Sequence, residues 1–176
     1  MNQVSLNILY KQINRELTHH LSGSNPSFSS KCMVICFNPS FQANLLYRLS
    51  HYFFLKGHNR LLMITEWLGQ VLFGCLIAGQ AEIGENFKLI HPTGTVIGIA
   101  KIGNNVKIWQ NVCLGSHGKL GLPKAWPIVG DDVKIYANAM VIGGVKIGKN
   151  AVIGASAFVN HDVPENTTFI NERMGT

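Results

Sequence analysis

Aliphatic residues recur at every sixth position along the C-terminal half: Val129, Ile135, Val141, Ile147, Ile153 and Val159. Four residues after each stands a second small or apolar residue, namely Val133, Ala139, Val145, Ala151, Ala157 and Val163. A short fixed period of this kind makes each hexad one strand and turn that cannot bury its apolar residue alone, so successive units must wind into a stacked parallel coil. The beat continues upstream through Ile102, Ile108 and Leu114, with Val106 and Val112 at the second position, and before that through Ile83 and Leu89. Two places break it. With Val96 as the next inward residue, the step from Leu89 is seven, which places one extra residue in the stretch 90–95. Between Leu114 and Val129 the step is fifteen, so nine residues of 115–128 must leave the coil as a loop. In a regular rod, such interruptions are where chemistry is to be sought.

Ahead of the coil the spacing is helical. Leu6, Leu9, Ile13 and Leu17 predict a helix within residues 3–21, and the Ser/Gly/Asn/Pro stretch Ser22 to Ser30 reads as a linker. Asn38-Pro39 is a cap and first-turn pair that opens a helix with Leu45, Leu46, Leu49 and Phe53 on one side, stopped by Gly57 and Asn59. A further helix carries Leu61, Ile64, Leu68, Val71 and Leu72 on one face and ends near Gly74. The chain thus divides into a helical N-terminal region (1–74), a β-coil (75–163) with an extruded loop (115–128), and a C-terminal tail (164–176). The fold class is mainly β, a parallel β-helix of hexapeptide repeats preceded by α-helices.

Composition narrows the partners. Charged residues make up 14% of the 176, and apolar ones 47%, as suits a continuous interior whose flanks are covered by neighbouring copies. The net charge of +6 is dispersed, without the basic run that a nucleic-acid groove needs, and suits a small polyanion such as a nucleotide phosphate. Cys32, Cys36, Cys75 and Cys113 have neither a paired framework nor zinc spacing, and read as reduced thiols of a cytoplasmic protein. The start of the chain shows no secretory signal. Thr65, Glu66 and Gln70 interrupt the most apolar stretch, Leu61 to Ala78, and argue against a membrane span; peripheral membrane contact through the N-terminal helices stays open.

His91 sits in the first interruption, between Ile90 and Pro92, where a slip of the chain turns its imidazole off the regular face as a candidate general base. The alternative is an ordinary surface-turn histidine. The loop 115–128 carries glycines that let backbone approach a ligand, Lys119 and Lys124 that can meet phosphate, and Trp126 that can cap a cleft. Its alternative is a loop on an interaction surface. His117, in the same loop, reads as exposed rather than catalytic. Ala137 and Ala155 offer backbone groups beside small side chains, where an extended ligand can lie.

The runs LIHPTGTVIG, IGNNVKIWQNVCLGSHGK and VGDDVKIYANAMVIGGVKIGKNAVIGASAFV resemble the left-handed β-helix acyltransferases of the hexapeptide-repeat family. Within them the chain looks nearest to the serine acetyltransferase-like branch, which includes O-acetyltransferases of colanic acid and capsular polysaccharides, and NLLYRLSH resembles the family's helix ahead of the coil. The resemblance implies a homotrimer that binds acetyl-CoA in the cleft between adjacent coils, with no metal. It implies that His91 takes the proton from an acceptor hydroxyl, supported by Gln110 one coil away. It further implies that Gly115, Ser116, Ala137 and Ala155 contact the pantetheine arm, that Lys119 or Lys124 meets phosphates, and that Gln110, Trp126 and His117 line the acceptor site.

Departures from the family pattern bear on the acceptor. Ile90 stands where serine acetyltransferases carry Asp, Ala125-Trp126-Pro127 where they carry Arg-His-Pro, and Ala78-Gly79 where they carry His-Pro. The usual Gly-x-Pro-Ala-Arg ending is replaced by Asn171-Glu172-Arg173-Met174. A zwitterionic acceptor needs fixed charges, so these changes lead to the expectation of a sugar hydroxyl of a bacterial surface polysaccharide, with Trp126 as its stacking face. Serine O-acetylation is the alternative. A non-catalytic trimeric scaffold and a metal-dependent hydratase are further ones.

Overall fold

The computed structural model describes residues 6–21, 27–118 and 125–171. The coil winds as a triangular prism. Its first turn is β1 (Leu76–Ile77), β2 (Glu82–Ile83) and β3 (Lys88–Leu89), and its second is β4 (Val96–Ile97), β5 (Lys101–Ile102) and β6 (Lys107–Ile108). The third turn is β7 (Cys113–Gly115), β8 (Ile128–Val129) and β9 (Lys134–Ile135), and the fourth is β10 (Met140–Ile142), β11 (Lys146–Ile147) and β12 (Val152–Ile153). β13 (Phe158–Val159) and β14 (Thr168–Phe169) lie above them. All strands pair in parallel, in three sheets ordered β1-β4-β7-β10-β13, β11-β8-β5-β2 and β14-β12-β9-β6-β3.

Each strand sends one aliphatic side chain inward, so Leu89, Ile108, Ile135 and Ile153 form one fully buried column and Ile97, Leu114, Val141 and Val159 another. The corners are turned by residues at positive φ, chiefly Asn86, Asn105, Asn111, Asp132, Asn138, Asn150 and Asn166. Asn and Asp tolerate that left-handed region better than other residues with a Cβ. Here they also hydrogen-bond from turn to turn: Asn86 Nδ2 donates to Asn105 Oδ1, Asn105 Nδ2 to Asp132 Oδ1 and Asn111 Nδ2 to Asn138 Oδ1, each at 3.0 Å.

The structure corrects the phase of the first interruption. Ile97, not Val96, pairs with Ile77 and Leu114 and is buried, while Val96 is 41% exposed. Two extra residues, rather than one, therefore lie between Leu89 and the next inward position, and the following step to Ile102 is one short. Val96 and Ile97 are both β-branched and adjacent, so composition alone could not choose between them; the parallel register does. The tail also contributes more than an exit, because Thr168–Phe169 pairs with Val152–Ile153.

Among the described residues the helices are α1 (Leu6–His20), α2 (Phe28–Phe37), α3 (Pro39–Leu55) and α4 (Asn59–Phe73). α2 occupies part of the expected linker: the Ser27 hydroxyl caps it by accepting from the Ser30 amide at 3.2 Å. α3 opens as expected, with Asn38 Oδ1 accepting from the Phe41 amide at 3.0 Å and Pro39 in the first turn. α4 ends at Gly74, whose left-handed conformation (φ 58°) closes the helix.

The faces these helices bury are not the ones the apolar spacing predicts. α3 buries Asn44, Tyr47, Arg48 and Ser50, and α4 buries Leu62, Thr65 and Gly69, leaving Ile64, Val71 and Leu72 exposed. The reason lies in the coil's open lower end, whose first turn has backbone groups with no strand beneath them. Asn44 Nδ2 donates to Phe87 O (3.0 Å), Tyr47 OH to Ala81 O (2.8 Å), Arg48 to Ile83 O (2.7 Å) and Gly84 O (2.6 Å). The Tyr47 hydroxyl also accepts from Ile83 N, and the Glu66 carboxylate from Gly79 N. A buried ion pair, Arg48 to Glu16 of α1 at 2.6 Å, completes the cap; burial pushes the Glu16 carboxyl up, and Arg48 opposes that shift. A polar helix face is what an unpaired sheet edge requires, since a buried backbone group without a partner costs about 1–3 kcal/mol.

Candidate active site

His91 lies on the corner between β3 and β4, where the two extra residues swing the chain outward. The turn is pinned from both sides. Gly94 N donates to Gly74 O (2.8 Å), Thr95 N to Pro92 O (3.1 Å) and Asn111 N to Thr93 O (3.1 Å), while the fully buried Thr95 reaches Trp109 O with its hydroxyl at 3.3 Å. Gly94 has φ +72°, and a Cβ there would fall 1.8 Å from Asn111 Oδ1, so this corner admits only glycine. Held this way, the His91 imidazole is exposed at the surface of the coil.

The same corner carries the other predicted residues upward. The bonds Ile90 N→Ile108 O and Asn111 N→Thr93 O make His91 and Pro92 the two extra residues and set Thr93, not His91, in register with Gln110, so the expected stacking of Gln110 on His91 is not what the register gives. Asn138 N→Gln110 O and Ser156 N→Ala137 O carry the column on through Ala137 and Ala155. Gln110 Oε1 is buried with no partner among the described residues. Next to this column Trp109 and Tyr136 stack with ring centroids 4.4 Å apart. Along the adjoining face Lys88, Lys107 and Lys134 are directly paired on successive turns, a basic wall beside the corner.

Four predicted residues lie elsewhere. Gly115 ends β7 and Ser116 follows it, on the side of the first sheet away from His91, where Gly143 N donates to Gly115 O at 2.8 Å. His117 lines a cavity of about 570 Å³ there with Gly143, Phe158, His161 and Asp162. Trp126 packs its indole against Gly98, where a Cβ would lie 1.9 Å from the ring. Within one chain it lies on its own coil, across the first sheet from His91. Lys119 and Lys124 lie outside the described residues.

His91 instead lines a cavity of about 340 Å³ formed with the helices, among them His20, Asn38, Ser40, Lys88 and Ile90. Sequence spacing missed this wall, because its parts come from α1, the α2–α3 junction and β3. The His20 ring is held below its ordinary range by burial, which the Glu16 carbonyl opposes and Lys88 reinforces.

A family model described as bacterial transferase hexapeptide (six repeats) matches residues 127–161. Over 147 residues, 83% of this chain, the sequence is 33% identical to a serine acetyltransferase of Bacillus licheniformis, of which it covers 68%. Over 147 residues it is 35% identical to that of Mycobacterium tuberculosis, covering 64% of it. The chain belongs to the hexapeptide-repeat acyltransferases. The serine-bound Neisseria gonorrhoeae serine acetyltransferase superimposes with a TM-score of 0.81 at 31% identity, over 95% of this chain and 68% of that one. The serine complex of the soybean enzyme gives 0.83 at 31% identity, over 94% and 68%. These matches make the coil of this family member a left-handed β-helix. The chain spans about two-thirds of the length of the relatives it matches.

The relatives overturn the expected surface-polysaccharide acceptor, since they are serine acetyltransferases. That expectation rested on Ile90, Ala125-Trp126-Pro127 and Ala78-Gly79 standing where serine acetyltransferases carry charged or polar residues, and on Trp126 as a stacking face for a sugar. Polar and charged groups reach the His91 cavity from the helices and β3.

Proposed function

We propose that this chain is an acetyl-CoA-dependent O-acetyltransferase whose acceptor is the hydroxyl of L-serine, with His91 as general base. The observation that carries the reading is His91 itself, projected from a pinned corner of a coil that resembles serine acetyltransferases over most of its length. In the reaction the imidazole takes the hydroxyl proton as the oxygen attacks the thioester carbonyl. The carbon–sulfur bond then breaks, and the proton passes to the departing thiolate, giving O-acetylserine and CoA. Ala137 and Ala155 leave room for an extended arm along the corner, and Lys107 and Lys134, paired on successive turns, offer charge for phosphates.

The working assembly is a homotrimer in this reading. The first sheet presents outward a column of Leu76, Val96, Cys113, Met140 and Phe158, with Val96, Met140 and Phe158 well exposed in the single chain. Such a stripe is one that a second copy would cover. It would also bring one coil's His91 corner toward another's loop, where Gly115, Ser116 and His117 lie. Free cysteines at Cys32, Cys36, Cys75 and Cys113 fit a reducing compartment, and burial pushes the Cys75 thiol up to about 12. No helix among the described residues is long and apolar enough to cross a membrane.

The test is free-thiol release from acetyl-CoA with L-serine. Wild type is expected to turn over, and His91→Ala to lose about 10²–10⁴-fold in rate with an unchanged melting temperature. Absence of CoA release by wild type with L-serine would refute the reading.

A further inference from the structure

The apolar substitutions in the coil raise a physical question: what holds the carboxylate and ammonium of an amino acid beside His91? We infer that they are held from below, by the N-terminal end of α3 with Ser40 and Lys88 for the carboxylate, and by His20 for the ammonium. The inference rests on the proposed serine acceptor.

α3 is seventeen residues long, and its positive end opens at the cavity that His91 lines. In its first turn Pro39 has no N–H, and the Phe41 amide is taken by Asn38. Ser40 stands between them; it is 7% exposed, and its hydroxyl is buried without a partner among the described residues. A buried hydroxyl left unpaired at a helix N-terminus is a donor kept for an anion. Lys88 lines the same cavity from β3, and no Asp or Glu does. The directly paired Lys107 on the next turn repels Lys88, so an anion at this end relieves a like-charge contact.

The opposite charge finds its partner on α1. His20 Nδ1 lies 3.1 Å from the Glu16 carbonyl oxygen, which can only accept, so Nδ1 carries the proton. In the neutral ring Nε2 is then an acceptor, and it too is buried without a partner among the described residues. A neutral imidazole acceptor suits an ammonium group. The cavity therefore offers a donor set and an acceptor on the groups that line it with His91, which matches a zwitterion whose hydroxyl is to be deprotonated. These groups replace the fixed charges that Ile90, Ala125 and Trp126 do not supply.

The experiment compares L-serine, L-serinamide (no carboxylate) and 3-hydroxypropionate (no ammonium) with wild type, Lys88→Met, Ser40→Ala and His20→Phe. Lys88→Met is expected to raise KM for L-serine about 10- to 100-fold, the range of a lost charge-assisted hydrogen bond, with KM for acetyl-CoA unchanged. It should leave L-serinamide, already a poor acceptor, no worse. Ser40→Ala should act in the same direction and more weakly. His20→Phe should erase the preference for L-serine over 3-hydroxypropionate. Lys88 lies on the outer face of its sheet, so its variant decides the matter if Ser40→Ala or His20→Phe lowers the melting temperature. A rise in KM for acetyl-CoA in place of serine would assign Lys88 to a CoA phosphate and overturn the inference. So would an unchanged L-serine to L-serinamide ratio in an active Lys88→Met. If wild type uses none of the serine acceptors, the proposed function falls and this inference with it; if wild type acetylates serine and the ratios do not move, only the inference falls.

Discussion

The coil and the helical cap beneath it solve the same problem, burial, in opposite ways. In the coil the interior is almost wholly apolar, and its strand residues rest on like residues one turn away, as Ile135 does on Ile108 and Ile153. In the cap, α3 turns Asn44, Tyr47 and Arg48 toward the protein, while α4 leaves Ile64, Val71 and Leu72 outward. The difference teaches that a helix buries what its neighbour needs. Against a hydrocarbon core that is an apolar stripe; against the unpaired end of a sheet it is a row of hydrogen-bonding groups.

Substitutions can break that comparison, and their order of cost is the test. Arg48→Ala should cost the most, about 3–5 kcal/mol, because it leaves Glu16 buried without its partner and removes donors from Ile83 O and Gly84 O. Denaturant melts of the assembled protein measure it; a loss under 1 kcal/mol would mean the polar face is not what closes the coil. Ile135→Val trims one methylene from the centre of the coil and should cost about 0.5–1.5 kcal/mol by the same melts. Ile64→Ser sits on the apolar face of α4, 50% exposed, and should change stability by no more than about 0.5 kcal/mol. Were the cap built on the coil's plan, Ile64 would outrank Arg48. A large loss at Ile64 in the oligomer, absent at low protein concentration, would show that another copy covers this face.

The same contrast explains how much could be read in advance. The hexad beat placed Val129, Ile135, Val141, Ile147, Ile153 and Val159 inside, and all are buried. It also marked the stretch holding His91 as irregular, although it mistook Val96 for Ile97 as the residue that resumes the interior. The cavity wall was not legible. His20, Ser40 and Lys88 are far apart in sequence, none belongs to a motif, and only the docking of α1 and α3 on the first turn brings them to His91. Reading Ile90, Ala125-Trp126 and Ala78-Gly79 as lost fixed charges led to a polysaccharide acceptor, which the serine acetyltransferase relatives overturn.

What the sequence by itself determined is the coil, because a repeat whose partner lies one turn away makes its tertiary contacts nearly local. It also determined the outward swing at His91, since extra residues in a strict period have nowhere else to go. Tertiary structure decided which face each helix buries and what surrounds the imidazole. Those depend on where the coil's unsatisfied backbone groups and the helix ends meet, and no spacing along one chain segment records that.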